Sequence, residues 1–172
     1  LSETNIGNFC ADAFRSLASS DVALMNGGGI RTDINSGDVT FNDILSVMPF
    51  GNNIYRATMT GQHLMDALEF AVSVLPNESG SFMQVSGLKF DVDASIPTPV
   101  VYDVENDLYS YVGNGERRVS DLRILDAETG EYLPIDLNRT YSIASIDYLV
   151  TELGGSGILR YAEPEDVYLS TD

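Results

Sequence analysis

The chain is 172 residues long and 44% apolar, which is enough for one sizeable core and too apolar for a disordered protein. Its 26 acidic and nine basic residues give a net charge of −17, which argues against a surface that binds nucleic acid through the phosphates. The single cysteine, Cys10, excludes an internal disulfide and a Cys-x-x-Cys metal site, and we expect it to be a small buried residue. The sequence contains no run of eighteen apolar residues and no basic-then-apolar amino terminus, so we expect neither a membrane span nor a signal peptide in this segment.

The chain opens with a predicted helix, a strand and a glycine loop. Apolar side chains recur at helical spacing over residues 3–19: Ile6, Phe9, Ala13 and Leu17. An apolar strand over 22–25 then runs into the loop 26–31, where three consecutive glycines permit backbone angles closed to other residues. A loop that follows such a strand is a common place for a ligand.

Two further helices are marked by their capping residues. Thr40 and Asp43 form the pattern of a capping box, which predicts the start of a short helix. A strand over 54–59 follows, and Thr60 is expected to cap a longer amphipathic helix over 61–75.

The second half of the chain is richer in strands. Alternating apolar residues predict a strand over 88–92, and the pattern over 119–133 predicts a hairpin. The intervening residues 94–116, rich in Pro, Asp, Asn and Tyr, are expected to form a long surface excursion. Further strands are expected over 141–146 and at 167–169. Helices that alternate with hairpin-connected strands favour a mixed-sheet α/β or α+β domain over a doubly wound parallel one.

The sequence lacks the residues that a domain needs to hydrolyse a phosphate ester by itself. Hydrolysis of a phosphate ester usually needs metal ions held by His and carboxylates, or an activated nucleophile, and His63 is the only histidine. It lies beside Gln62, away from the apolar face of its helix, and we expect it to be a solvated bystander. Gly154-Gly155-Ser156-Gly157 lacks the spacing of a nucleophile elbow, and no phosphate-binding P-loop occurs. The isolated domain is therefore predicted to be inactive.

Features suited to binding are better represented. The glycine loop is expected to expose backbone amides at Gly28 and Gly29. Asn26 offers a donor and an acceptor to a base or sugar edge, and Arg31 supplies a planar fork for oxygen atoms. The turn Pro49-Phe50-Gly51-Asn52 displays an aromatic ring. Taken singly, these features are also consistent with a flexible turn, a surface arginine and a core phenylalanine.

Together these segments resemble the C-terminal domain of the 5′-nucleotidase family, which includes UDP-sugar hydrolases and 2′,3′-cyclic-nucleotide phosphodiesterases. The resemblance covers nearly the whole chain, and its motifs keep their order: Glu3-Thr4-Asn5-Ile6-Gly7-Asn8 with Ala11-Asp12-Ala13, Asn26-Gly27-Gly28-Gly29-Ile30-Arg31, Pro49-Phe50-Gly51-Asn52, Gln84-Val85-Ser86-Gly87, and Tyr148-Leu149 ahead of Gly154-Gly155. Any one motif is a weak signal, and five in sequence are a strong one.

The resemblance implies a fold, a partner domain and a location. It implies a four-layer α/β/β/α sandwich with mixed sheets, an α+β domain that occupies all of residues 1–172. In the family this domain works with an N-terminal metallophosphatase domain that carries two divalent metal ions. We therefore expect that domain outside this chain and no cofactor in this one. The parent is expected to be a secreted nucleotide hydrolase that is extracellular, at the cell surface or periplasmic.

The resemblance also assigns roles to individual residues. In the family, two aromatic rings sandwich the nucleobase, and they match Phe50 and Tyr148 here. Such stacking is worth about 1–3 kcal/mol per base. Asn26 is then expected to reach the base edge and Arg31 the ribose or phosphate oxygens. Asn52 matches a position that touches the base in some members.

Two departures from the family pattern keep other hypotheses open. Ser2 stands where members often have arginine, and Ser156 stands where the glycine turn usually continues with aspartate, a ribose contact. The leading hypothesis is a domain that recognises a nucleotide or nucleoside within a metal-dependent nucleotide hydrolase. The alternatives are a non-catalytic binding or scaffold module with the same fold, and a parent that acts on another phosphoester or a thiosulfate-like ester.

Overall fold

The structure, a computed structural model, describes residues 2–168, except for the side chains of Ser110, Tyr111 and Tyr168. Its helices are α1 (Asn5–Ala18), α2 (Phe41–Val47), α3 (Gly61–Val72), α4 (Asp147–Val150) and α5 (Gly154–Gly157). Its strands are β1 (Val22–Asn26), β2 (Ile54–Thr60), β3 (Met83–Ser86), β4 (Leu88–Val92), β5 (Val100–Asp103), β6 (Leu108–Val112), β7 (Val119–Leu125), β8 (Tyr132–Pro134), β9 (Thr140–Ile146) and β10 (Glu163–Tyr168). Leu169 of the predicted last strand lies outside the described residues.

A five-stranded mixed sheet in the order β10-β2-β9-β1-β3 forms the centre of the domain. In this sheet β1 runs parallel to β9, and the other neighbouring pairs are antiparallel. A three-stranded antiparallel sheet, β4-β7-β8, and the hairpin β5-β6 complete the described strands. The predicted α+β class with mixed sheets is confirmed.

The two long helices are buried to different extents. α1 packs against β1, β2, β3 and β9 of the large sheet, and its other face is exposed. No residue of α3 is exposed, and the helix packs against β2 of the large sheet and β7 of the small one. A helix that is covered on all sides belongs to an inner layer. α3 therefore lies between the large sheet and the small one.

The buried face of α1 differs from the stripe of large apolar residues in its sequence. Phe9 and Leu17 are 54% and 52% exposed. The buried positions are mostly small: Gly7, Cys10, Ala11, Phe14 and Ala18. They let the helix approach the sheet closely, since a methyl group on Gly7 would overlap the side chain of Gln84. Cys10 is buried as predicted, and burial raises the pKa of its thiol.

Two buried charged side chains fix the C-terminal end of α3. Arg118 donates from its guanidinium to four backbone carbonyls, those of Val72, Ser73, Leu75 and Ile96. Glu69 is fully buried and accepts the backbone N–H groups of Arg118 and Val119 at 3.0 Å each. The arginine thus satisfies carbonyls that a helix end leaves unpaired. The helix ends at Val72, three residues before the predicted end.

Residues 94–116 form a hairpin with a buried side chain, so the prediction of a surface excursion is only partly right. β5 pairs with β6, and the ring of Tyr109 is buried and stacks on Phe70 with 5.1 Å between centroids. His63, expected to be solvated, is half-buried and stacks on Tyr161 with 4.5 Å between centroids. Both contacts join α3 to a later segment, which the periodicity of the helix alone does not reveal.

Candidate functional site

Three chain segments meet at one edge of the five-stranded sheet, which we call the site edge. The parallel strands β1 and β9 both end there, at Asn26 and Ile146. β2 is antiparallel to β9 and starts at the same edge, with Ile54 paired to Ile146. Loops at the carboxyl ends of parallel strands are a common place for ligand-binding residues. The glycine loop after Asn26, the turn around Phe50 and the segment that carries Tyr148 all extend from this edge.

The glycine loop is one 3₁₀ turn, Gly27–Gly29, held against a second loop. The N–H groups of Gly27 and Gly28 donate to the carbonyls of Phe82 and Gly80 at 2.8 and 2.9 Å. A methyl group on Gly28 would lie 2.9 Å from the Cα atom of Gly80. None of the three glycines has a positive φ, so glycine is needed here for the close approach of two backbones. The amide of Gly28, which we expected to be exposed, is used within the protein.

Asn26 places an unpaired polar atom at the site edge. The residue is 8% exposed, and its Oδ1 atom has no hydrogen-bond partner among the described residues. A methyl group on the buried Gly29 would lie 3.3 Å from this oxygen. An unsatisfied buried acceptor costs about 1–3 kcal/mol and is uncommon in native proteins. This oxygen is therefore a candidate acceptor for an N–H or O–H group of a ligand.

Arg31 and Phe50 lie together at the site edge. Phe50 is 60% exposed, and the guanidinium carbon of Arg31 lies 5.8 Å from its ring centroid. Nη1 of Arg31 donates to the carbonyl of Gly28 at 3.0 Å, which directs the side chain along the glycine loop. Phe50 is therefore not a core residue. Arg31 shares a cleft of about 650 Å³ with Asp33 and Glu78, and these carboxylates reduce the local positive charge.

Tyr148 lies on α4 with its ring against the glycine turn that follows. The residue is 41% exposed, and the N–H of Gly155 donates to its hydroxyl at 3.3 Å. A Cβ atom on Gly154 would lie 2.5 Å from the ring, so only glycine leaves room for it. Gly155 and the half-buried Ser156 have left-handed backbone angles that interrupt the helical path of α5. The turn therefore fixes the orientation of the ring.

A polar contact that the sequence analysis did not identify joins the segments of Phe50 and Tyr148. The carboxylate of Asp147 accepts the backbone and side-chain N–H groups of Asn53 at 3.0 and 3.2 Å. It also accepts the N–H of Tyr148 at 2.8 Å, and the N–H of Asp147 donates to the carbonyl of Asn53 at 3.0 Å. Both residues adjoin sequence motifs, but no signal in the motifs indicated that they pair.

Five of the predicted site residues line two clefts at this edge, and Asn26, Tyr148 and Ser156 line neither of them. Gly28 and Arg31 line the cleft of about 650 Å³, and Phe50 and Asn52 line an apolar cleft of about 710 Å³. Among the described side chains, neither Phe50 nor Tyr148 stacks on another aromatic ring.

The described residues do not form a metal centre. They contain no group of three or more His, Cys, Asp and Glu side chains arranged to hold a metal ion. In the same residues, no helix combines the length and the apolar character that a membrane span requires.

Comparison with known proteins assigns this arrangement to a family. The family model described as 5′-nucleotidase, C-terminal domain, matches residues 1–161. The chain belongs to this family. The match includes every segment of the site edge, and the resemblance inferred from the motif order is confirmed.

Similar proteins are about a third identical to the domain over the matched region and are much longer. It is 33% identical to the trifunctional nucleotide phosphoesterase protein YfkN of Bacillus subtilis, over 94% of the chain and 10% of that protein. It is 34% identical to an apyrase of Tabanus yao, over 98% of the chain and 30% of that protein. A solved 5′-nucleotidase precursor from Thermus thermophilus matches with a TM-score of 0.77 at 30% identity, over 95% of the chain and 29% of that structure. The domain thus spans less than a third of each of these proteins.

Proposed function

We propose that the domain binds a nucleoside or nucleotide at the site edge, with the base between the rings of Phe50 and Tyr148. The observation that carries the proposal is that both rings are exposed at one sheet edge and that Asp147 and Asn53 link their segments. Stacking on two rings provides affinity for a flat heterocycle and tolerates different bases. The family membership and the nucleotide phosphoesterase among the relatives support the same ligand class.

The polar residues of the edge have separate roles in this proposal. Asn26 Oδ1 accepts a hydrogen bond from the base, which removes the cost of burying this atom without a partner. Arg31 donates to ribose or phosphate oxygens, and Asn52 borders the base. The glycines at 28–29 keep the loop close to these groups. Ser156 offers a hydroxyl to the ribose, a weaker acceptor than a carboxylate.

We further propose that the domain acts within a longer enzyme, a metal-dependent hydrolase of phosphoric esters of the 5′-nucleotidase type. Most of the length of the two curated relatives lies outside the region that matches this domain. A metallophosphatase domain with two divalent ions would supply the activated water there, while this domain holds the base and the sugar. We propose an extracellular, cell-surface or periplasmic location for this enzyme.

The ligand is tested by titrating the domain with adenosine and with AMP while following the ring-proton resonances of Phe50 and Tyr148 by NMR. We expect saturable shifts at both rings. Phe50→Ala and Tyr148→Ala should each weaken binding about tenfold, because each removes one stacking surface. Phe41→Ala is the matched control, since Phe41 lines the same apolar cleft as Phe50 and is 71% exposed.

The outcomes separate nucleotide recognition from a non-catalytic scaffold module. Equal losses in Phe41→Ala and Phe50→Ala would indicate a general apolar surface instead of a base sandwich. If neither adenosine nor AMP shifts the resonances of Phe50 and Tyr148, the proposal is wrong and a scaffold module with the same fold is favoured.

A further inference from the structure

The pairing of Asp147 with Asn53 lies one residue beyond the end of the ladder between β2 and β9. The last pair of that ladder is Ile54 with Ile146. The hydrogen bond from the N–H of Asp147 to the carbonyl of Asn53, at 3.0 Å, continues the pairing by one step. Beyond this step the two chains separate, one toward the Phe50 turn and the other into α4.

The carboxylate of Asp147 holds both chains at the point where they separate. Its Oδ2 atom accepts two N–H groups of Asn53, and its Oδ1 atom accepts the N–H of Tyr148. Hydrogen bonds to an ionised acceptor are about twice as strong as neutral ones. Asp147 and Asn53 are both half-buried, which limits competition from water. One side chain therefore connects the backbone of Tyr148 to the residue three positions after Phe50.

We propose that Asp147 is a positioning residue that sets the separation between the rings of Phe50 and Tyr148. The inference rests on the proposed function, because a base between two rings needs a gap of constant width for dispersion contacts on both faces. The hydrogen bond from Gly155 to the Tyr148 hydroxyl orients one ring but does not connect it to the Phe50 turn. The link through Asp147 supplies that connection.

The first test compares adenosine affinity in two carboxylate variants, well below the unfolding temperature. Asp147→Ala removes three hydrogen bonds at the site edge and should raise the Kd for adenosine about tenfold. Asp147→Asn keeps one acceptor oxygen, so its Kd should lie between that of the unmodified domain and that of Asp147→Ala. Asp126→Ala is the matched control, because the carboxylate of Asp126 also accepts three hydrogen bonds, from Glu128 and Thr129, in the turn between β7 and β8. We expect it to leave the Kd unchanged.

The second test measures the separation without a ligand. Nitroxide labels at Phe50→Cys and Tyr148→Cys, in a Cys10→Ala background, report the distance between the two segments through dipolar broadening of the EPR spectrum. Asp147→Ala should widen the distance distribution, and Asp126→Ala should not. An unchanged distribution in Asp147→Ala overturns the inference, whatever its adenosine affinity. If Asp147→Ala widens the distance distribution but the unmodified domain binds neither adenosine nor AMP, the inference about separation stands and the proposed function is wrong.

Discussion

Two regions of the domain bury polar side chains in opposite ways. Near the end of α3, Glu69 and Arg118 are almost fully buried, and both meet backbone partners within the chain. At the site edge, Asn26 is nearly as buried, yet its Oδ1 atom has no partner among residues 2–168. A satisfied buried network stabilises the folded chain by itself, whereas an unsatisfied acceptor costs free energy until another molecule supplies a donor. The contrast separates residues that hold the fold from residues that we propose to bind a ligand.

The aromatic residues show the same difference. Phe70 and Tyr109 stack on each other in the interior. Phe50 and Tyr148 are 60% and 41% exposed; the N–H of Gly155 donates to the hydroxyl of Tyr148, and the guanidinium carbon of Arg31 lies 5.8 Å from the ring centroid of Phe50. Exposed rings in a fixed orientation add little to folding stability, but they provide affinity at low entropic cost when a ligand arrives. Substitutions near the end of α3 should therefore change the free energy of unfolding, and substitutions at the site edge should change the affinity for adenosine.

The largest expected effect on stability is at Arg118. Arg118→Met keeps much of the side-chain volume but removes a donor from four backbone carbonyls, of which that of Val72 still accepts the N–H of Leu75. We expect a loss of about 3 kcal/mol in the free energy of unfolding, measured by urea denaturation, and unchanged adenosine affinity in the folded fraction. Arg123→Met is the control, since Arg123 pairs with Asp121 on the surface and should cost less than about 0.5 kcal/mol. Similar losses in the two variants would contradict the assignment of Arg118 to the fold.

A substitution at Gly154 should change both the free energy of unfolding and the affinity for adenosine, because Gly154 packs directly against the ring of Tyr148. A methyl group on Gly154 would collide with the carbonyl and the ring of Tyr148. We expect Gly154→Ala to cost about 1–3 kcal/mol of stability and to weaken adenosine binding about tenfold by displacing the ring. Gly130→Ala is the control: Gly130 has φ +72°, and its Cβ position is empty. It should cost about 1 kcal/mol through backbone strain and leave binding unchanged; weaker binding there would indicate a global effect.

Much of the fold could be predicted because its signals are local. Thr40 and Asp43 form the predicted capping box, and Thr60 accepts the N–H of His63 at the start of α3. What could not be predicted depends on contacts distant in sequence. The end of α3 is set by Arg118, 46 residues after the last residue of the helix. The buried position of Tyr109 depends on Phe70 in the same way.

The candidate site residues could be selected where a motif names them, but the contacts between motifs could not be predicted. Motif order selected Phe50 and Tyr148, and the structure brings their segments to one edge. Motif order did not indicate that the N–H of Gly28 donates to the carbonyl of Gly80, because the loop that contains Gly80 has no sequence motif of its own. Nor did it indicate the role of Asp147, because a carboxylate one step beyond a strand pair is meaningful only once the register is known.

The smallest expected change in stability, and the sharpest test of the contrast, is at Asn26. Asn26→Leu replaces an amide whose Oδ1 atom is unpaired with an apolar side chain of similar size, so we expect a free energy of unfolding within about 1 kcal/mol of the original and clearly weaker adenosine binding. Ser145→Ala is the matched control on the same sheet. Its buried hydroxyl donates to the carbonyl of Leu24 at 2.7 Å, so its removal should cost about 1 kcal/mol and leave binding unchanged. If Asn26→Leu destabilises the domain more than Ser145→Ala does, the amide of Asn26 stabilises the fold and is not held in reserve for a ligand.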